Sequence, residues 1–249
     1  MRKVKQVILL LSFISAFISC TKDSAGNLKG DMIGYTYLYD DNRLRVVDNS
    51  GITVSIEGTS ISTTTRKDGR WIISNLGIGT YSFIQSKPNY GTLKILGKQF
   101  IGGGQTYFGA SSLYPIPKNN VYGVLDTTTY TLNSDLSGTI VVFGSFSSEV
   151  PVSRAYFRLF AGPNSDVSSD PSKNICTIVG SVPGDYNQFL LYLDTKFLNN
   201  FGINSGDSVY IIVYPDSYNS SAFIDLNTGR YFYPNLNPVA SQILGQIVP

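Results

Sequence analysis

The sequence predicts an all-β protein built as two tandem β-sandwich domains. Three observations predict this. From Leu28 onward the apolar residues recur at period two rather than 3.6. Clusters of Gly, Asn and Asp break these runs at the roughly 8–12-residue spacing of short strands. The chain is also longer, at 249 residues, than one ordinary domain of about 100–150.

Composition narrows the class. Charged residues make up 14% of the chain, against about 25% in a typical soluble domain, which argues against disorder and coiled coil. There is no histidine. That excludes Ser-His-Asp and Cys-His catalysis, His-ligated zinc or haem, and a histidine pH switch. No cofactor is implied.

The N-terminus reads as an export signal. Arg2, Lys3 and Lys5 form a basic start, Val7 to Phe13 an apolar core, and the run stops at Cys20. A spanning helix needs about 20 apolar residues, more than this run supplies. The ending Phe17-Ile18-Ser19-Cys20 resembles a bacterial lipobox, with Phe where Leu is usual. The resemblance implies cleavage before Cys20 and a diacylglycerol on its sulfur, hence membrane attachment through that residue. Two or more acyl chains make such anchoring stable. Removing residues 1–19 takes away three bases and no acid, so the formal charge falls from +2 to −1. No basic cluster remains for nucleic acid. With Cys20 lipidated, Cys176 is the single remaining thiol and reads as a small buried strand residue.

Residues 20–27 are the lipidated Cys and a polar tether. Lys22-Asp23 resembles the charged motif after the lipidated Cys of surface-exported Bacteroidota lipoproteins. Asp23-Ser24-Ala25 and Asp126-Thr127-Thr128 resemble the short O-glycosylation motif of that phylum. A plain linker accounts for the tether equally well.

The first domain spans residues 28–113. Thr53 to Glu57 and Thr80 to Gln85 alternate, Trp71-Ile72-Ile73 is a short apolar strand, and Asp68-Gly69 reads as a tight hairpin. Gly51 to Thr59, Thr64 to Trp71 and Leu76 to Tyr81 together resemble the carboxypeptidase regulatory-like domain. Arg66 stands at that family's acidic position and Trp71 replaces its Phe. The resemblance implies a transthyretin-like sandwich of seven strands, with Trp71 in the core. It does not imply peptidase activity, whose zinc module needs histidines. Gly102-Gly103-Gly104 lacks the following helix and Lys-Ser/Thr pair of a phosphate loop and reads as a sheet-edge bend.

Residues 114–120, with Pro115 and Pro117, read as a stiff linker. Residues 121–249 form the second sandwich, with one short helix around 196–201. Gly206 to Tyr210 resembles the turn and penultimate strand of Ig-like or fibronectin III modules, which would make Tyr210 a corner tyrosine. Asp166 with Asp170, Asp40-Asp41, Asp207, Asp216 and Asp225 read as turn acids rather than catalytic or calcium-binding groups. Tyr214, Tyr218, Tyr231 and Tyr233 lie at strand–loop borders and are the candidate ligand contacts, since tyrosine offers rigid area with one polar handle. No residue is expected to be catalytic.

These features predict a non-enzymatic, lipid-anchored outer-membrane protein. Its sandwiches would serve binding or assembly with another envelope component. A glycan-binding accessory of a polysaccharide-utilisation system and a histidine-independent hydrolase remain as alternatives. Nothing in the residues chooses between the periplasmic and the surface face.

Overall fold

The computed structural model describes residues 28–126, 139–147, 154–184 and 186–249. The export signal, Cys20 and the tether lie outside these residues, as do Thr127 and Thr128. Among the described residues no helix is long and apolar enough to cross a membrane.

The chain is nearly all β, and its main sheets face one another in pairs. In the first pair, β4 (Arg70–Gly77), β1 (Lys29–Leu38) and β7 (Gly104–Leu113) lie side by side in that order. Opposite them runs the order β3 (Ser62–Thr64), β2 (Thr53–Ile56), β5 (Gly79–Ser86), β6 (Leu93–Phe100). β1 is antiparallel to β4 and parallel to β7. The inward set of each strand closes one core: Met32, Val54, Ile56, Trp71, Ile73, Leu76, Phe83 and Phe100, with Phe108 packed against it.

Trp71 is a core residue, 1% exposed. Its indole lies over Gly34, directly opposite on β1, where any Cβ would overlap the ring. Its Nε1–H donates to Thr36 Oγ1 at 3.2 Å. Thr36 Oγ1 donates in turn to Gln85 Oε1, which also accepts from Ser111 Oγ at 2.6 Å. These polar groups tie the two facing sheets together inside the core, with Gln85 Nε2 left buried and without a partner among the described residues.

The Asp68-Gly69 turn is locally tight but departs from a simple hairpin. Gly69 N–H donates to Arg66 O and Arg66 N–H to Arg70 O. Gly69 has φ +85°, and a Cβ there would sit 2.6 Å from Thr36 O, so both conformation and space demand glycine. Beyond the turn the chain diverges: β3 joins β2 in one sheet, whereas β4 joins β1 in the other. The turn therefore passes the chain across the sandwich. Gly102, Gly103 and Gly104, all at positive φ, make the corresponding bend from β6 to β7.

In the second pair, β8 (Val121–Asp126), β9 (Thr139–Phe146) and β12 (Gln188–Asp194) form one sheet. The facing sheet runs β11 (Cys176–Pro183), β10 (Arg154–Gly162), β13 (Ser208–Asp216), β16 (Leu244–Ile247). Setting aside the small hairpin between β13 and β16, this is the strand order of a fibronectin III sandwich. Its core includes Val142, Phe146, Phe157, Leu159, Phe189, Leu193, Val209, Ile211 and Val213. Helix α1 (Thr195–Asn199) begins where Asp194 accepts the Lys196 N–H. Tyr210 lies across Gly245, its direct partner on β16.

The stretch 114–120 is tied on both sides. Ile116 N–H donates to Asn89 O and Gly91 N–H to Tyr114 O, while Asn119 O accepts from Asn237 Nδ2.

Candidate functional site

The segment between β13 and β16, residues 217–243, is where the second sandwich departs from a bare module. The strands beneath it explain its course. On β10 and β13 the inward residues are core, so the alternate ones, Tyr156, Arg158, Phe160, Tyr210, Ile212, Tyr214 and Asp216, face out. An outward face this apolar needs a cover. The segment supplies it by folding back, so that Leu236, Tyr233 and Ala240 pack with Phe160, Ile212, Tyr210 and Tyr214. It is laced to β13 by Asn237 N–H to Pro215 O and Ser241 N–H to Val213 O.

Beneath this cover lies a buried ion pair. Arg158 Nε donates to Asp216 Oδ2 at 2.8 Å, and the residues are 8% and 3% exposed. The guanidinium carbon is 3.8 Å from the centre of the Tyr233 ring, which stacks on it. Ser217 N–H donates to Asp216 Oδ1. Burial pushes the Asp216 carboxyl above its ordinary value, against the pull of Arg158. The pair is sealed and has no face toward a ligand.

Beside the cover is an open groove of about 670 Å³. One wall is the 168–172 loop between β10 and β11. The other is the hairpin of β14 (Phe223–Ile224) and β15 (Tyr231–Phe232). Phe223 and Phe232 supply apolar area, with ring centres 5.2 Å apart at 40°. Around them stand Ser168, Asp170, Asp225 and Thr228. The walls are held together by Arg230, whose Nη1 donates to Pro171 O and Asn174 O. Asn174 Nδ2 in turn fixes the loop by donating to Ser168 O and Asp170 O.

Both groove carboxylates are held below their ordinary values. Asp170 accepts from the Ser172 backbone N–H and hydroxyl, and Asp225 accepts from the hydroxyl and backbone N–H of Thr228. Each senses a neighbour: the charge of Asp170 opposes ionisation of Asp225, and Lys173 favours that of Asp170. A glycosidase pair needs one carboxyl kept protonated near neutrality. These two are driven the other way and serve as hydrogen-bond acceptors. Among the described residues no group of three or more His, Cys, Asp or Glu could hold a metal ion.

Of the four tyrosines singled out in the sequence, three lie near one another and the fourth stands apart. Tyr214 and Tyr233 are half-buried in the covered outer face, on Phe160. Tyr231 is exposed on β15, 6.4 Å from Tyr233. Tyr218 stands apart, against Tyr114 and Tyr156. Asp166 forms an exposed pair with Lys173 at 3.5 Å. Asp40 accepts the backbone N–H groups of Asn42 and Leu44, and Asp207 accepts that of Asn204, as turn acids do. Phe223 gave no sequence signal, since two-residue strands show no periodicity, and Phe232 reads only as part of the strand–loop border around Tyr231 and Tyr233.

No protein-family model matches the chain, and no curated protein matches it in sequence. Among solved structures, a candidate carbohydrate-binding protein of Bacteroides uniformis is 15% identical over 88% of this chain and 99% of that one, with a TM-score of 0.33. A DUF3823 family protein of Bacteroides ovatus is 14% identical over 86% and 98%, with a TM-score of 0.24. A cohesin–X-dockerin complex of Acetivibrio cellulolyticus is 21% identical over 34% of this chain and 58% of that one, with a TM-score of 0.29. At these values the likenesses carry nothing about ligand or activity.

Proposed function

We propose that this is a non-enzymatic binding protein of the cell envelope, held to a membrane by lipid on Cys20, and that its ligand is a neutral glycan taken in the β14–β15 groove. One observation carries the ligand reading: an open groove joins two phenylalanine rings to a rim of carboxylates and hydroxyls. Pyranose rings offer apolar C–H faces and a rim of hydroxyl donors, so such a groove meets both. The carboxylates are ionised across the neutral range and accept from sugar hydroxyls without repelling an uncharged chain.

The address rests on the basic start, the short apolar run and the Ser19-Cys20 ending. The first sandwich, with its resemblance to the regulatory-like domain, reads as scaffold for the second.

Affinity electrophoresis against a panel of neutral glycans tests the ligand. Retardation by at least one of them, lost in Phe232→Ala and Asp225→Ala, is expected. No retardation by any neutral glycan overturns it. Acyl labelling tests the anchor: loss of label in Cys20→Ala is expected, and membrane retention of an unlabelled Cys20→Ala chain would refute it.

A further inference from the structure

A second aromatic surface lies away from the groove. β1 is the central strand of its sheet, and its inward positions, Met32, Gly34, Thr36 and Leu38, are buried. The alternate positions Tyr35, Tyr37 and Tyr39 therefore line up on the outer face. Tyr107 of β7 extends the row at one end, its ring centre 6.3 Å from that of Tyr35, which lies 6.2 Å from Tyr37. At the other end Tyr39 stacks on Tyr114 at 5.0 Å. Tyr218 follows at 5.6 Å and Tyr156 of β10 at 5.7 Å, so the track crosses onto the second sandwich. Tyr107 is 65% exposed and Tyr218 52%.

Arginines are set into this track. The Arg45 guanidinium carbon is 3.6 Å from the centre of the Tyr37 ring, and that of Arg43 is 4.8 Å from the centre of Tyr218. Arg70 is the cross-strand partner of Tyr35. None of the three has a carboxylate within 4.0 Å among the described residues. Asp40, the nearby acid of the same loop, directs Oδ1 to the backbone N–H groups of Asn42 and Leu44. Asp41 is exposed beside it.

The geometry points to this tyrosine track as the binding surface for a linear acidic glycan, its sugar rings on the tyrosines and its carboxylates on Arg43, Arg45 and Arg70. The guanidiniums of Arg43 and Arg45, already stacked on rings, keep their N–H donors free for carboxylates and are pre-organised for them. A peptide fits less well. β1, which carries Tyr35 and Tyr37, is flanked on both sides by strands, so no open backbone edge lies under that part of the track for an extended peptide to pair with. This surface shares with the groove only the broad class of ligand, and the charge of the glycan separates the two.

The test is affinity electrophoresis of the full chain on polygalacturonate and on the neutral panel, at low and high salt. On polygalacturonate, retardation is expected to weaken about 3- to 10-fold in Tyr107→Ala. Arg45→Gln should weaken it likewise, as should added salt, whereas Phe232→Ala leaves it unchanged. Tyr107 and Arg45 are exposed, so unchanged melting temperatures should accompany these losses. No retardation on polygalacturonate, or retardation indifferent to Tyr107→Ala and Arg45→Gln, overturns the track. Displacement of the acidic glycan by an equal charge of polyglutamate also overturns it, because the surface then reads charge alone. Neutral-glycan binding lost in Phe232→Ala, together with no retardation on polygalacturonate, leaves the groove standing and the track refuted.

Discussion

The side chain of Asn235, in the segment that covers the second sandwich, lies directly on the Cα of Gly91 in the first, where any Cβ would overlap the amide. Asn235 is fully buried and donates from Nδ2 to Asn219 O and Ser221 Oγ. The contact makes the covering segment a wedge between the sandwiches. Gly91→Ala should therefore destabilise the chain by about 1–3 kcal/mol, the usual penalty of overpacking. Adding Asn235→Ala should cost less than the sum of the two single changes, because the pair is coupled. Urea unfolding of the four chains in the cycle measures this; strict additivity would remove the wedge.

The Arg158–Asp216 pair is expected to behave as a buried ion pair with a raised acid. Asp216→Ala leaves the guanidinium without its partner and should cost about 3–5 kcal/mol, while Arg158→Met with Asp216→Leu should cost far less. The pH dependence has a definite sign. The folded carboxyl titrates above its ordinary value of 3.8, so the folded chain holds its proton longer than the unfolded chain does. The stability linked to Asp216 is greatest below 3.8 and falls as pH rises through the folded value. Relative to the wild type, the penalty of Asp216→Asn should shrink over that rise. Urea midpoints between pH 3 and 7 report it, and a growing penalty would reverse the sign.

Cys176 should be chemically quiet. Burial pushes its thiol up to about 11, leaving almost no thiolate at pH 8. In a Cys20→Ser background it is the single thiol. A thiol-reactive dye should label it slowly in buffer and rapidly in denaturant. Equal rates would mean that the start of β11 is open.

Trp71 is the only tryptophan, so its fluorescence reports the first sandwich alone. Trp71→Phe removes the Nε1–H bond to Thr36 and opens space over Gly34. A loss of about 1–3 kcal/mol is expected, with more for Trp71→Ala. Emission should be blue-shifted in the folded chain and move red on unfolding; a solvent-like spectrum before denaturation would contradict the burial.

Strand positions were largely legible in the sequence because period two and turn residues are local signals. Thr80 to Gln85 and Trp71 to Ile73 read as strands and are strands, and Thr53 to Glu57 is a strand but for its last residue. Which sheet each strand joins was not legible. Asp68-Gly69 looks the same whether the flanking strands pair or part, and the outcome depends on the partners β2 and β1, set by long-range packing. The cover over the second sandwich was equally hidden. Residues 217–243 lack periodicity, and the Arg158–Asp216 pair joins positions 58 apart. Tyr214 and Tyr233 read as loop-border recognition groups; that they pack on Phe160 depends on a strand face whose need for a cover no local pattern reveals. The alternation of Tyr35, Tyr37 and Tyr39 was in plain view, but its meaning required knowing which face of β1 looks outward.

The parallel pairing of β1 with β7 also shapes how the chain bears mechanical load. The two strands run side by side from Gly30 opposite Gly104 to Leu38 opposite Leu113. A pull between the N-terminal segment and the second sandwich enters at the start of β1 and leaves at the end of β7. Such a pull shears the ladder lengthwise and strains its hydrogen bonds together, whereas an antiparallel hairpin pulled at its open end would unzip bond by bond. Under such a pull the first sandwich resists as a sheared ladder rather than opening as a zipper.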